Sequence, residues 1–262
     1  MSRPITGSEL YPLHRELLTE PLCEGRYEVR FARNSAELDA IQRLRFEVFN
    51  LELGEGFAAS FETGRDADEF DAVCHHLMVS DVENGAVVGC YRLQTAAMAA
   101  ENRGFYSAGL FDLSSLPSAA LDKSVELGRA CIAGSHRNSV LLFLLWKGLA
   151  HYVAHNQMRY LFGCCSLTSQ DPGEGSAVLR YLEERGQMHP EWRLQPAAGV
   201  ACPIVANAAA AKTLPPLFRT YLRYGARVCG PPAIDREFKT IDYLVALDVN
   251  TLSRATFNLF FG

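Results

Sequence analysis

The sequence of 262 residues predicts a mixed α/β (α+β) fold, a central sheet with helices on both faces and an extended C-terminal part. Three observations predict it. Two β-rich runs, His75 to Asp81 and Ala86 to Thr95, flank an Asn84-Gly85 step that favours a tight turn, so they should be antiparallel neighbours. Two further apolar runs, Ser124 to Ile132 and Tyr160 to Leu167, stand on either side of a long helical stretch ending near His155. Leu38, Ile41, Leu44, Val48 and Phe49 recur at helical spacing. The order β-α-β-β followed by β-loop-α-β suits a mixed sheet covered by helices.

The elements follow in chain order. Residues 1–25 mix Pro, Gly and charge without periodicity and read as an N-terminal arm, and residues 26–262 as one domain extended from about residue 171. Tyr27 to Ala32 alternates as a strand, and Ser35 is the expected cap of the first helix. Gly54 to Arg65, rich in Gly and small residues, reads as a mobile loop, and the acidic run Asp66, Asp68, Glu69, Asp71 follows it. An Ala-rich helical stretch and a loop around Gly104 precede Ser124. Tyr160 to Leu167 reads as a strand buried on both faces. Beyond Asp171 come a helix around Val178 to Arg185, a Pro-rich connector, a helix from Leu217 to Tyr224 and a strand from Ile241 to Leu247.

Composition narrows the function. A net charge of −5 argues against wholesale attraction to nucleic acid or an anionic membrane. The eight Cys show no C-x-x-C pair and mostly sit in apolar strand-like runs, as reduced core thiols of a cytoplasmic protein do. The opening residues lack the apolar run of a signal peptide, and the longest apolar candidate, Ser139 to Val153, is interrupted by Lys147 and His151. Membrane contact is therefore expected to be peripheral at most, at the inner face.

Chemistry gathers where polar residues interrupt apolar strands: Arg92 in GCYRLQ, Glu126 and Arg129 in VELGRACI, and Ser166 in GCCSL. An ionised group inside a sheet is costly unless paired, so these are either mutual partners, Glu126 with Arg92 or Arg129, or site residues. Arg45 and Phe49 at the end of the first helix, with Asp66, Asp68 and Asp71 after the loop, are expected to converge on the same mouth. No metal is expected: adjacent His75 and His76 point to opposite faces of a strand. A nucleophilic Cys164 or Cys165 is disfavoured, because apolar strand thiols are inert.

The order of these residues resembles the acyl-homoserine-lactone synthases, with Arg45 and Phe49 in LRFEVF, the triplet in DADEFD, Arg92 in GCYRL, and Glu126 with Arg129 in ELGR. Asp66 stands where that family usually has Glu. From about Leu44 to the end the chain is more similar to the ornithine N-acyltransferases and related N-acyl amino acid synthases, in ELGRACI, HRNSVLLFLLWKGLAHYV, YLFGCCSLTSQDP, LPPLFRTYLRYGARVCGPPAIDREFKTIDYLVAL and FNLFFG. The resemblance implies a GNAT-like fold, a (3-hydroxy)fatty acyl thioester on acyl carrier protein as donor, and a small amino acid as acceptor, ornithine first, giving an N-acyl amino acid, a lyso-ornithine lipid precursor. No resident cofactor is implied, and acyl-CoA is an alternative donor.

The residues bear on the donor independently. The turn that in coenzyme A enzymes of this fold is Gly-rich and cradles the pyrophosphate reads Gly134-Ser135-His136-Arg137-Asn138-Ser139, with one Gly. His136, Arg137 and Lys147 are thus candidate contacts for the acidic carrier protein, or an ordinary solvated helix start.

A protonated amine must lose a proton before it attacks a thioester, and Glu126 is the candidate base. Backbone N–H groups near Cys131 are candidates to hold the oxyanion. Arg129 and Arg92 either orient Glu126 or bind the acceptor carboxylate. The three aspartates either bind a cationic side chain or order the loop through Arg45. Ser166 either serves the pantetheine arm and departing thiolate or is a satisfied strand hydroxyl, and Phe143, Leu144, Trp146 and Phe162 are candidates for the acyl slot or plain core. Two rival functions remain: a signal synthase that also lactonises an amino acid derivative, and a non-catalytic sensor of acyl carrier protein or lipid on the same scaffold.

Overall fold

The computed structural model describes residues 20–209 and 213–262. Of the expected N-terminal arm, residues 1–19 lie outside the described residues, while Leu22–Glu24 forms a strand, β1. Two compact units are present. The first holds residues up to Gln94, Leu127–Met158 and Phe260–Gly262; the second holds Thr95–Glu126 and Arg159–Leu259.

In the first unit β1 pairs antiparallel with β2 (Tyr27–Phe31), β2 with β3 (His75–Asp81), and β3 with β4 (Ala86–Thr95), the last register shifting between Val79 and Ser80. The Asn84-Gly85 turn forms as its chemistry predicts, with Gly85 at φ 72°. Helix α1 (Ser35–Arg45) is capped one residue earlier than expected. Asn34 holds the extended cap conformation and its Oδ1 accepts from the N–H of Glu37 at 3.0 Å. The helix runs on as a π-helical segment, Phe46–Leu53, and stops at Gly54 with φ 72°. The segment expected to be a loop includes a short helix, α2 (Ser60–Thr63).

Two short helices follow, α3 (Ala96–Glu101) and α4 (Ser118–Leu121). Strand β5 (Ser124–Ile132) then begins in the second unit and ends in the first. Helix α5 (Ser139–His155), capped by Asn138, packs on β2 and β3 and buries Leu141, Leu145, Leu149 and Tyr152, with Leu141 and Leu145 over Gly89 of β4. Gly148 lets the helix lie close there: a Cβ would stand 2.8 Å from a Leu77 methyl, which would have to shift.

The second unit is built on β6 (Tyr160–Leu167). Its start pairs in parallel with β5 from Ser124↔Tyr160 to Glu126↔Phe162. After α6 (Pro172–Glu184) and α7 (Pro216–Arg223), three strands complete the sheet: β7 (Arg227–Val228), β8 (Ala233–Asp235) and β9 (Thr240–Asp248). β9 runs antiparallel along the whole of β6, from Tyr160↔Asp248 to Leu167↔Ile241, and takes β7 and β8 on its other side. The chain closes with α8 (Arg254–Phe261).

Register sorts the second unit's side chains, because directly opposed residues share a face. Ile241 and Tyr243 face α6, where the Tyr243 hydroxyl donates to the carbonyl of Gly175, and Phe218 of α7 lies 5.8 Å from the Tyr243 ring. Phe162, Leu244, Ala246 and Ala233 point the other way, into a core with Phe105, Phe111, Leu194 and Cys229. The same face continues into polar residues, Glu126 on β5, Ser166 on β6, Thr240 and Asp242 on β9 and Asp235 on β8.

Candidate active site

Six of the sequence-predicted residues meet in the first unit as a closed ring of alternating charge. Arg45 pairs with Asp66 and Asp71, Arg92 with Asp71 and Asp68, and Arg129 with Asp68 and Asp66. Arg45 Nε lies 2.7 Å from Asp66 Oδ1 and its Nη1 2.8 Å from Asp71 Oδ1; Arg129 Nη2 is 2.9 Å from Asp68 Oδ2. Gln42 closes the outer side by donating to Asp71 Oδ2 at 2.9 Å. All six are nearly or fully buried, and their formal charges cancel. Burial alone would raise the Asp71 carboxyl, but Arg45 and Arg92 outweigh it and hold it far below the usual carboxylate range; Asp68 is lowered in the same way by Arg92 and Arg129. His76, donating from Nε2 to the carbonyl of Asp71 at 3.0 Å, is pushed down to about 4 by burial against the partial pull of Asp71.

Arg129 enters this ring through an unusual backbone. Its φ is 50°, in the left-handed region that costs a residue with a side chain about 1–2 kcal/mol. The kink follows Gly128 and comes three residues after the last β5–β6 pair, Glu126↔Phe162. The guanidinium also stacks over Phe57 at 5.2 Å. Phe49 is buried in the π-helical segment.

Glu126 is 7% exposed and belongs to the second unit, where both its oxygens accept from backbone: Oε2 from the N–H of Tyr106 at 2.9 Å, Oε1 from that of Ser107 at 2.8 Å. These N–H groups open a 3₁₀ turn, Tyr106–Gly109. Such a turn start presents unsatisfied donors, so the carboxylate caps it. The Tyr106 hydroxyl donates to Asp235 Oδ2 at 2.8 Å, and the N–H of Phe238 donates to Asp235 Oδ1 at 2.8 Å. Ser166 donates to Asp242 Oδ1 at 2.5 Å, and Thr240 to Asp242 Oδ2 at 3.2 Å.

The other predicted residues have other neighbours. Phe143 and Trp146 lie 5.8 and 5.4 Å from Phe260, and Phe162 lies edge-on to Phe105 at 5.0 Å. Leu144 is buried in α5. The Cys131 thiol is 3.5 Å from that of Cys90, and this contact with burial raises it far above the ordinary thiol range; Cys164 and Cys165 are raised by burial. His136 faces Asp81 at 3.5 Å, exposed Arg137 forms a bidentate pair with Glu52, and the Lys147 ammonium sits over Phe143 at 5.7 Å. Each of these side chains thus has an intramolecular neighbour.

Sequence reasoning missed Tyr106, Ser107, Asp235 and Asp242. Asp242 was findable by the criterion that singled out Glu126, a carboxylate inside an apolar strand, here T-I-D-Y-L. The donors on Glu126 are backbone groups and leave no side-chain signature. Among the described residues no group of three or more His, Cys, Asp and Glu side chains is placed to hold a metal ion, and no helix is long and apolar enough to cross a membrane.

Comparison with known proteins gives the family and the fold. Residues 44–147 match the acetyltransferase (GNAT) domain family. The L-ornithine N(alpha)-acyltransferase of Agrobacterium fabrum (strain C58) is 33% identical over 87% of this chain and 83% of its own length. The protein of that name from Rhizobium meliloti (strain 1021) is 34% identical over 89% and 83%. The chain belongs to the L-ornithine N(alpha)-acyltransferase family. Among solved structures the acyl-homoserine-lactone synthase LasI superposes with a TM-score of 0.50 at 15% identity, covering 91% of this chain and 97% of that one. FeeM, an N-acyl amino acid synthase from uncultured soil microbes, gives 0.50 at 11% over 90% and 97%. This likeness establishes a GNAT-like fold for the family member described here, and its mixed sheet with flanking helices is the predicted architecture.

Proposed function

We propose that this acyltransferase moves a fatty acyl group, 3-hydroxylated or plain, from the phosphopantetheine of an acyl carrier protein to the α-amine of ornithine, releasing an N-acyl amino acid that serves as a lyso-ornithine lipid precursor. The observation that carries the reading is the relationship to two ornithine acyltransferases over most of both chains. The placement of Glu126 supports a base: its carboxylate is nearly buried and held by two N–H donors, so it is oriented before substrate arrives. In this reading Glu126 takes one proton from the ammonium. The nitrogen then attacks the thioester carbonyl, the C–N bond forms, and the tetrahedral adduct collapses with cleavage of C–S. The second amine proton ends on the departing thiolate, with Ser166 as candidate relay. Arg129 belongs to the ring and acts as a positioning residue, fixing the β5 backbone just beyond Glu126.

The turn before α5 supports a carrier-bound donor, since residues 134–139 contain a single Gly and lack the repeated glycines that let backbone close on a pyrophosphate. Acyl-CoA is the alternative donor, and His136, Arg137 and Lys147 are the proposed carrier-protein contacts. A product with a fatty tail is consistent with a peripheral site of action at the inner face of a membrane. Incubating the purified protein with acyl carrier protein thioesters and a panel of amino acids, followed by mass spectrometry, is expected to yield N-acylornithine. No amide with any amino acid would overturn the proposal.

A further inference from the structure

We propose that Asp235 selects the acceptor, holding the distal ammonium of a dibasic amino acid while Glu126 serves the amine that reacts. This rests on the acyl transfer proposed above. Both carboxylates lie on one face of the second unit's sheet and are tied to a single residue: the Tyr106 N–H is 2.9 Å from Glu126 Oε2, and its hydroxyl 2.8 Å from Asp235 Oδ2. One tyrosine therefore sets the spacing between the two acids. From backbone nitrogen to phenol oxygen, that residue is comparable in length to the chain joining the two amines of an extended diamino acid.

Asp235 is suited to a cation. It is 8% exposed, and its partners, the Tyr106 hydroxyl and the Phe238 N–H, are both neutral; among the described residues no Lys, Arg or His pairs with it. A nearly buried carboxylate solvated only by neutral donors gains from a positive ligand. Asp66, Asp68 and Asp71 offer no such gain, since three guanidiniums already neutralise them.

A second feature points to a ligand at the same place. Ser107, whose N–H is on Glu126 Oε1 at 2.8 Å, carries a fully buried hydroxyl with no hydrogen-bond partner among the described residues. Buried donors are satisfied in folded proteins, and an oxygen of the acceptor's carboxylate would satisfy this one. The half-buried Cys164 on this face senses the combined field: beyond the effect of burial, Asp242, Glu126 and Asp235 together raise its thiol.

The test compares ornithine with norvaline, which has the same carbon skeleton without the distal amine. Asp235→Asn is close to isosteric: its Oδ1 still accepts from Phe238, and the Tyr106 hydroxyl can turn to accept from the new amide. With an acyl carrier protein donor, the wild type is expected to prefer ornithine in kcat/KM by about a hundredfold. In Asp235→Asn that ratio should fall at least tenfold, through the KM for ornithine. Tyr106→Phe should lower it severalfold, and serves if the first variant misfolds. Calorimetry without donor should give the same ranking. A wild type without preference, a preference that survives in Asp235→Asn, or an equal loss on both acceptors would overturn the assignment. Ornithine preference in calorimetry with no acylated product would overturn the acyl-transfer reading and leave this one standing.

Discussion

The two units use buried carboxylates in opposite ways. In the first, Asp66, Asp68 and Asp71 meet Arg45, Arg92 and Arg129 in a closed ring whose charges cancel, and Arg45 has no exposed surface at all. In the second, Glu126, Asp235 and Asp242 accept from backbone N–H and hydroxyl groups. A saturated ion network resists change, because losing any member strands a charge. A carboxylate held by neutral dipoles, as Asp235 is, is oriented yet keeps its negative charge available to a ligand or a proton. On the function proposed above, the comparison separates a scaffold from a site, although both are built around buried carboxylates.

Breaking the ring should have the largest effect. Arg45→Met leaves Asp66 and Asp71 buried with a partner missing, which should cost about 3–5 kcal/mol and appear as a large drop in melting temperature or loss of soluble protein. A melting temperature close to wild type would show that the ring is not the scaffold described here. Glu126→Gln comes next: turnover should fall roughly a hundredfold or more in single-turnover assays. The amide NH2 also meets a backbone N–H of Tyr106 or Ser107, so stability should fall by about 1–3 kcal/mol at the same time. Lost stability with retained turnover would make Glu126 a turn cap and nothing more.

The smallest effect is a pH dependence confined to the first unit. His76 is neutral when folded and pushed down to about 4, below its ordinary value near 6.5, so the unfolded chain binds the extra proton first. Its contribution is complete above pH 6.5 and is lost as pH falls toward 4, amounting to about 2 kcal/mol by pH 5. The ring carboxylates Asp68 and Asp71 are also lowered, so their contribution is complete above the ordinary carboxylate range and wanes only in stronger acid. His76→Gln should flatten the stability curve between pH 6.5 and 5 in urea titrations; an unchanged slope would place the acid sensitivity elsewhere.

Much of the scaffold was legible because the signals that specify it are local. The hairpin of β3 and β4 follows from alternation and the Asn84-Gly85 turn, and β5, α5 and β6 from apolar runs long enough to read alone. Strands β1, β7 and β8, of two or three residues, were missed, since such short runs carry no periodicity and exist only through pairing with β2 or β9. The cap moved from Ser35 to Asn34 because neighbouring residues both have cap chemistry, and only the extended backbone at Asn34 decides between them. The two N–H groups that hold Glu126, from a turn about twenty positions away, could not be read at all.

By itself, then, the amino-acid order determined the class of fold, the family, and which ionisable residues had to find partners, because charge inside an apolar run is costly wherever it lies. Tertiary structure alone decided which partner each one took. The cost of burial depends on residue type and surroundings, whereas pairing depends on strand register, the left-handed turn at Arg129 and the meeting of groups far apart in the chain, and those arise only when the whole sheet closes.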